Sequence, residues 1–162
     1  MGVGLDVSKF DTRNSISFES MFEGCSKLKE IDVSCFNSSK CEKICCMFSG
    51  CRSINRINML RWDMSKIRVN DDSKKDKKDL HEGIYKLFYK CQNLTEITMN
   101  LNFIDIKKLY TYQAFEYISD KGAFTYKEEN EHFLNLLPKK WTKKKKIYGI
   151  VDLFNMYSQG IS

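Results

Sequence analysis

LDVSKFDTRNSISFESMFEGCSKLKE, residues 5–30, and IDVSCFNSSKCEKICCMFSGCRSINR, residues 31–56, superpose on one another in a register of 26 residues. Met-Phe recurs at 21–22 and 47–48, and Gly-Cys at 24–25 and 50–51. A third copy begins at Ile57 as INMLRWDMSKIRVN and resumes at Ile84 as IYKLFYKCQNLTE, so that Leu87-Phe88 and Cys91 fall 40 residues behind their counterparts. The surplus is an insertion, DDSKKDKKDLHEG, at residues 71–83. A further start, ITMNLNF, follows at Ile97. Self-similarity at a fixed period of this length is the signature of a repeat array, in which each unit buries its apolar face only against its neighbours.

Each unit carries two hydrophobic periods. Phe18, Met21, Phe22 and Cys25 are spaced i, i+3, i+4, i+7, as are Ile44, Met47, Phe48 and Cys51, then Ile84, Leu87, Phe88 and Cys91. That spacing predicts a helix of about two turns with one apolar stripe. Just after it, Leu28-x-x-Ile31-x-Val33, Ile54-x-x-Ile57-x-Met59 and Leu94-x-x-Ile97-x-Met99 end in period-two alternation, which predicts a short strand with one face buried. Phe10, Phe36 and Trp62 lie three residues after Val7, Val33 and Met59 and form a further row. Neither a two-turn helix nor a three-residue strand is stable alone, so the units must stack, with strands pairing in parallel. The expected fold is an α/β repeat solenoid of short helix plus short parallel strand over residues 1–103. A distinct closing segment at 104–142 is expected to cover the last strand, and a basic amphipathic tail to follow at 143–162.

LDVSKFDT, SMFEGCSKLKEIDVSCFN and CMFSGCRSINRI, with YKLFYKCQNLTEI as a weaker copy, resemble the unit of the BspA-like leucine-rich-repeat surface proteins. The resemblance covers roughly residues 5 to 103, and GAFTYKEENEHFLNLLPKKWT resembles the piece that closes such arrays. It implies a right-handed solenoid engaged in adhesion or other protein recognition, usually outside the cell.

Composition agrees with a folded, non-fibrous chain: of 162 residues, 42% are hydrophobic and 30% charged, and proline occurs once, at Pro138. No stretch approaches the roughly 18 apolar residues of a membrane-spanning helix, and MGVGLDVSKF lacks a basic segment followed by an apolar run, so neither a span nor an export signal is expected in this stretch. The odd count of seven cysteines cannot pair completely within one chain. Cys25, Cys51 and Cys91 share one repeat position and are expected to be reduced thiols stacked in the core. Cys41, Cys45, Cys46 and Cys51 lack the C-x2-C knuckles of structural zinc, so no metal site is expected there, and the first three are expected at outward or half-buried positions.

Chemistry-bearing motifs are few. His81 and His132 are the only histidines, neither beside a nucleophile, and no phosphate loop, glycine fingerprint or paired-carboxylate motif appears. The chain is therefore expected to be non-enzymatic and to hold no cofactor. The insertion, nearly all charged with mixed signs, is expected to be a solvated loop. Pro138-Lys139-Lys140-Trp141-Thr142 followed by Lys143, Lys144, Lys145 and Lys146 admits a contact with nucleic acid or anionic membrane, but is better read as a flexible basic tail. After it, Ile147, Ile150, Val151 and Phe154 form an amphipathic stretch that either folds back on the array or docks elsewhere. The default recognition surface is the polar row on successive strands, Asp6, Asp32, Asn58 and Thr98, with another protein as partner and self-association in a surface or viral assembly as the alternative.

Overall fold

The computed structural model describes residues 4–69, 82–127 and 130–146. Five parallel strands form one sheet in the order of the chain: β1 (Glu30–Asp32), β2 (Arg56–Met59), β3 (Glu96–Met99), β4 (Lys121–Tyr126) and β5 (Lys140–Lys145). Their register is the one the repeat dictates, with Ile31 opposite Ile57 and Ile57 opposite Ile97. These isoleucines point inward and are buried, while the residues beside them face out, which is the alternation of a half-buried strand. The first unit forms no strand among the described residues; isolated parallel bridges join Gly4 to Glu30 and Ser17 to Lys43.

The helices predicted over 18–25, 44–51 and 84–91 are absent, and a ribbon of consecutive turns takes their place. Two sets of hydrogen bonds alternate along it. In the first unit the amides of Phe18, Ser20, Phe22 and Gly24 donate across to the carbonyls of Lys43, Cys45, Met47 and Ser49 in the next unit, at 2.7–3.0 Å. The intervening amides of Met21, Glu23 and Cys25 donate three residues back, to Phe18, Ser20 and Phe22. Cys46, Phe48 and Gly50 repeat the pattern toward the third unit, and Ile84, Lys86, Phe88 and Lys90 toward Tyr110, Tyr112, Ala114 and Glu116. An α-helix would turn its amides onto its own carbonyls and leave those of its first turn unpaired; the ribbon instead shares alternate amides between units, so every turn is tied to its neighbour. The cost is left-handed backbone at Ser20 and Gly24, Cys46 and Gly50, and Lys86 and Lys90, with φ between 50° and 75°. Phe18 and Phe22, then Ile44, Met47, Phe48 and Cys51, and Ile84, Leu87, Phe88 and Cys91 are buried as the predicted stripe requires, although the backbone is not helical, whereas Met21 and Cys25 in the first unit are exposed.

The segment expected to be wholly a closing piece, 104–142, instead opens with another unit. Thr111–Ile118 continues the ribbon, with left-handed backbone at Gln113 and Tyr117, and β4 follows with Phe124 opposite Ile97. Met-Phe-x-Gly-Cys has drifted there to Ala114-Phe115-Glu116-Tyr117-Ile118, leaving only the phenylalanine to mark the copy. Phe22, Phe48, Phe88 and Phe115 run through the stack as one aromatic column, with centroids 5.7, 6.0 and 5.5 Å apart. Closure falls to α1 (Glu131–Leu134), whose fully buried Phe133 touches Phe103, Phe115 and Phe124. The row of Phe10, Phe36 and Trp62 forms as expected, at 6.1 and 6.2 Å. The hydroxyls that line it tie the units together, since Thr12 and Ser38, both buried, accept the amides of Asn37 and Asp63 in the following unit.

The lysine run is not a free tail up to residue 145. Lys140–Lys145 is β5, paired along its length with β4, and anchored by the buried Trp141, whose indole donates to the Ser119 carbonyl at 2.8 Å. The boundary expected at 142/143 therefore cuts through a strand. Of the insertion, Glu82 and Gly83 belong to the unit, since the Gly83 amide donates to Arg68 at 3.0 Å. Residues 71–81, with His81, and the amphipathic stretch from Ile147 to Phe154 lie outside the described residues.

Candidate functional site

The outward row predicted from the repeat forms on the exposed face of the sheet. Asp32 lies opposite Asn58, Asn58 opposite Thr98, and the row extends through Thr125 to Lys144. Asp6 stands at the corresponding place in the first unit, ahead of β1. Parallel pairing sets these residues at the strand spacing of about 4.8 Å, so that one residue per unit is presented in line. Asn58 donates from Nδ2 to Asp32 Oδ2 at 3.1 Å, which fixes both side chains on the surface. Beside it runs a second row of Glu30, Arg56 and Glu96, in which the Arg56 guanidinium lies 2.9 Å from Glu96 and 3.7 Å from Glu30.

Part of this chemistry serves the backbone. Asp6, Asp32 and Asn58 each accept, at Oδ1, the amide two residues on, from Ser8, Ser34 and Leu60, at 2.9–3.1 Å. That turn explains why an Asp or Asn follows Leu5, Ile31 and Ile57 in the first three units. The Ser8 contacts hold the Asp6 carboxyl below the usual carboxylate range. Both oxygens of Asp32 are thus engaged, Oδ1 by the Ser34 amide and Oδ2 by Asn58, so the row is a pre-ordered line of polar groups. Charge changes sign along the face, from Asp6, Glu30 and Asp32 at one end to Lys140 and Lys144 at the other.

Among the thiols, Cys51 and Cys91 take the predicted core position, and burial pushes the Cys51 thiol up to about 12 and Cys91 higher still. Cys25, expected with them, is exposed because it lies in the first unit, with no described unit packed before it. Cys41, Cys45 and Cys46, expected outward or half-buried, are instead buried, with burial raising them to about 11, 12 and 11. They lie between units, Cys41 and Cys45 beside Phe18 and Glu19 of the first and Cys46 beside Tyr85 of the third, a setting that one unit read alone does not reveal. Among the described residues no group of three or more His, Cys, Asp or Glu is placed to hold a metal ion. His132 is exposed on α1.

A second cluster, unforeseen from the pattern, lies on the ribbons of the third and fourth units. Tyr85, Tyr110 and Tyr112 form a near-parallel triad with centroids 5.9–6.2 Å apart, and Tyr89 meets Tyr117 edge-on at 5.5 Å. Lys86 Nζ lies 5.1 Å from the centroids of both Tyr85 and Tyr89, and Lys90 Nζ 5.1 Å from that of Tyr89. The signal in the sequence is the doublet Tyr85-Lys86 and Tyr89-Lys90, four residues apart, with tyrosines recurring at 110, 112 and 117.

Residues 3–87, just over half of the chain, match the protein family described as Mycoplasma protein of unknown function, DUF285. No curated protein and no solved structure matches the chain.

Proposed function

Since the chain belongs to the DUF285 family of Mycoplasma proteins of unknown function, we propose that it is a non-enzymatic protein-recognition module of the BspA-like kind, a leucine-rich-repeat-like solenoid that binds another protein through its strand face. The observation that carries this reading is the row Asp32, Asn58, Thr98, Thr125 and Lys144, one polar residue from each of five strands in register. Such a row offers a partner a flat, pre-ordered line of hydrogen-bonding groups at fixed spacing, which lowers the ordering cost of binding. The in-register parallel strands on one side and the shared turn amides on the other support the solenoid. The resemblance to surface repeat proteins adds the expectation of a location outside the cell.

A structural role in an assembly is the second reading, favoured by one observation. The first unit leaves Leu5, Phe10 and Met21 exposed at positions where the second unit buries Ile31, Phe36 and Met47. A copy packed on that end would hide them.

Photo-crosslinkers placed at Asn58 and Thr98, and at Glu23 on the ribbon as control, separate the two readings when the protein is exposed to extracellular protein mixtures. Recognition predicts a discrete adduct from the strand-face positions, lost in an Asp32→Arg/Thr98→Arg variant. Adducts between copies alone, or equal yields from Glu23, would replace it with the assembly reading or remove the strand face from the account.

A further inference from the structure

We propose that the tyrosine–lysine cluster on the third and fourth ribbons is a second docking surface, for an acidic segment of a protein partner, separate from the strand face and independent of the reading given to it. Three observations carry it, beginning with the backbone. Lys90 and Tyr117 stand where the first two units have Gly24 and Gly50, and keep the same left-handed conformation, with φ of 58° at both. Glycine takes that conformation freely and a side chain does not. Retaining a long side chain at two such neighbouring places costs stability, and strain of this kind is found where the side chain acts outside the fold.

The second observation is how the groups are held. Lys86 is gripped between the Tyr85 and Tyr89 rings and Lys90 lies over Tyr89, so both ammonium groups are positioned before any partner arrives. The Tyr85 hydroxyl beside Lys86 holds its ammonium charged, raising its pKa. Charge is the third. Among the described residues no carboxylate is ion-paired with either ammonium, and Glu116, the acid within the cluster, is engaged by Gln113 at 2.9 Å. The surface therefore presents two ordered positive charges framed by tyrosines, with Tyr112 and Tyr117 more than half exposed. Tyrosine edges and phenolic hydroxyls are the groups that anchor protein interfaces. Nucleobase stacking is disfavoured, because the ring faces of Tyr85, Tyr89 and Tyr110 already meet lysines or one another.

A short fluorescein-labelled poly-glutamate peptide, titrated by anisotropy at low ionic strength into the full chain, tests this. Saturable binding is expected, weakened about tenfold or more by Lys86→Gln or Lys90→Gly. Lys143→Gln/Lys145→Gln in β5 should leave it unchanged. Lys90→Gly restores the residue of the earlier units, so the same variant should melt at a higher temperature while binding less, an opposition that a purely structural lysine would not give. Absence of saturable binding overturns the proposal, as does equal loss in the β5 variant, which would mark diffuse charge attraction. Preferential competition by oligo(dT) or heparin fragments over poly-glutamate would also overturn it, assigning the cluster to another polyanion. Each of these outcomes leaves the strand-face crosslinking result untouched, so the two readings fail separately.

Discussion

The Cys91 thiol donates to the carbonyl of Phe48 at 3.0 Å, 43 residues back along the chain. One unit earlier, Cys51 donates to the Phe22 carbonyl at the same distance, so the thiol row is a set of rungs between units and not merely apolar filling. Removing a rung leaves a small void and takes one of two donors from a buried carbonyl, since Phe48 also accepts the Cys51 amide at 3.1 Å. Cys91→Ala is expected to cost about 2 kcal/mol in denaturant unfolding, whereas Cys25→Ala at the exposed end should change little. Equal losses at the two positions would show the rung to be inert.

Thiol accessibility follows the same geometry. In native protein a disulfide-exchange reagent should label Cys25 and Cys35 quickly and the five buried cysteines slowly, and all seven should react once the chain is denatured without reductant. A denatured count well below seven would reveal disulfides that the fold does not require.

Alkaline pH should unfold the protein through these groups. Burial raises Cys41, Cys45, Cys46 and Cys51 from 9.0 to about 11 or 12, so their folded pKa values lie above the unfolded one. The folded state then binds more protons between those limits, and the stabilisation, complete below pH 9, declines as pH rises from about 9 toward 12, by up to about 1.4 kcal/mol per pH unit for each thiol. Melting temperatures across that window should fall, and fall less steeply in Cys45→Ala relative to its own value at pH 8. A flat profile would mean the thiols ionise alike in both states.

Two glycines of like backbone should respond differently to alanine. Gly24 and Gly83 both have positive φ, 72° and 60°, but a Cβ on Gly24 meets nothing within 4 Å while one on Gly83 would lie 2.5 Å from the Tyr110 carbonyl oxygen. Gly24→Ala should therefore cost only the backbone strain, about 1 kcal/mol, and Gly83→Ala roughly 2 kcal/mol or more, because the ribbon of the fourth unit must shift. Comparable melting temperatures for the two variants would contradict the close approach.

At the other end, Phe133→Ala is expected to cost about 3–5 kcal/mol, since its ring closes the column over Phe103, Phe115 and Phe124. A loss below about 1 kcal/mol would show that α1 does not close the core.

The repeat is legible in the sequence because stacking forces equivalent residues into register: Ile31, Ile57 and Ile97 carry the strands, and Phe36 and Trp62 their row. The outward row, Asp32 to Thr98, follows from the same alternation. What misleads is local. Periodicity reports which side chains share a face and is silent on whether Ser20 or Lys86 has left-handed backbone, so a turn ribbon passes for a helix. The fourth ribbon escapes notice because Phe115 alone keeps its identity, and β5 because six lysines around Trp141 resemble solvated chain until a partner strand is in view. The tyrosine–lysine cluster joins residues from two units, and only the fold brings Tyr89 to Tyr117.

The two flanks of the sheet differ in kind. Among the described residues β5 is the last strand and carries a line of ammonium groups, which repel a further strand, while the first described unit exposes Leu5, Phe10, Ile16 and Met21. Head-to-tail contacts between copies would set those apolar side chains against lysines, and such contacts are the ones that propagate into filaments. Association through the apolar flank instead matches like with like about a two-fold axis and closes after a single pair. In an assembly of copies, the lysines of β5 would therefore act as a chain terminator.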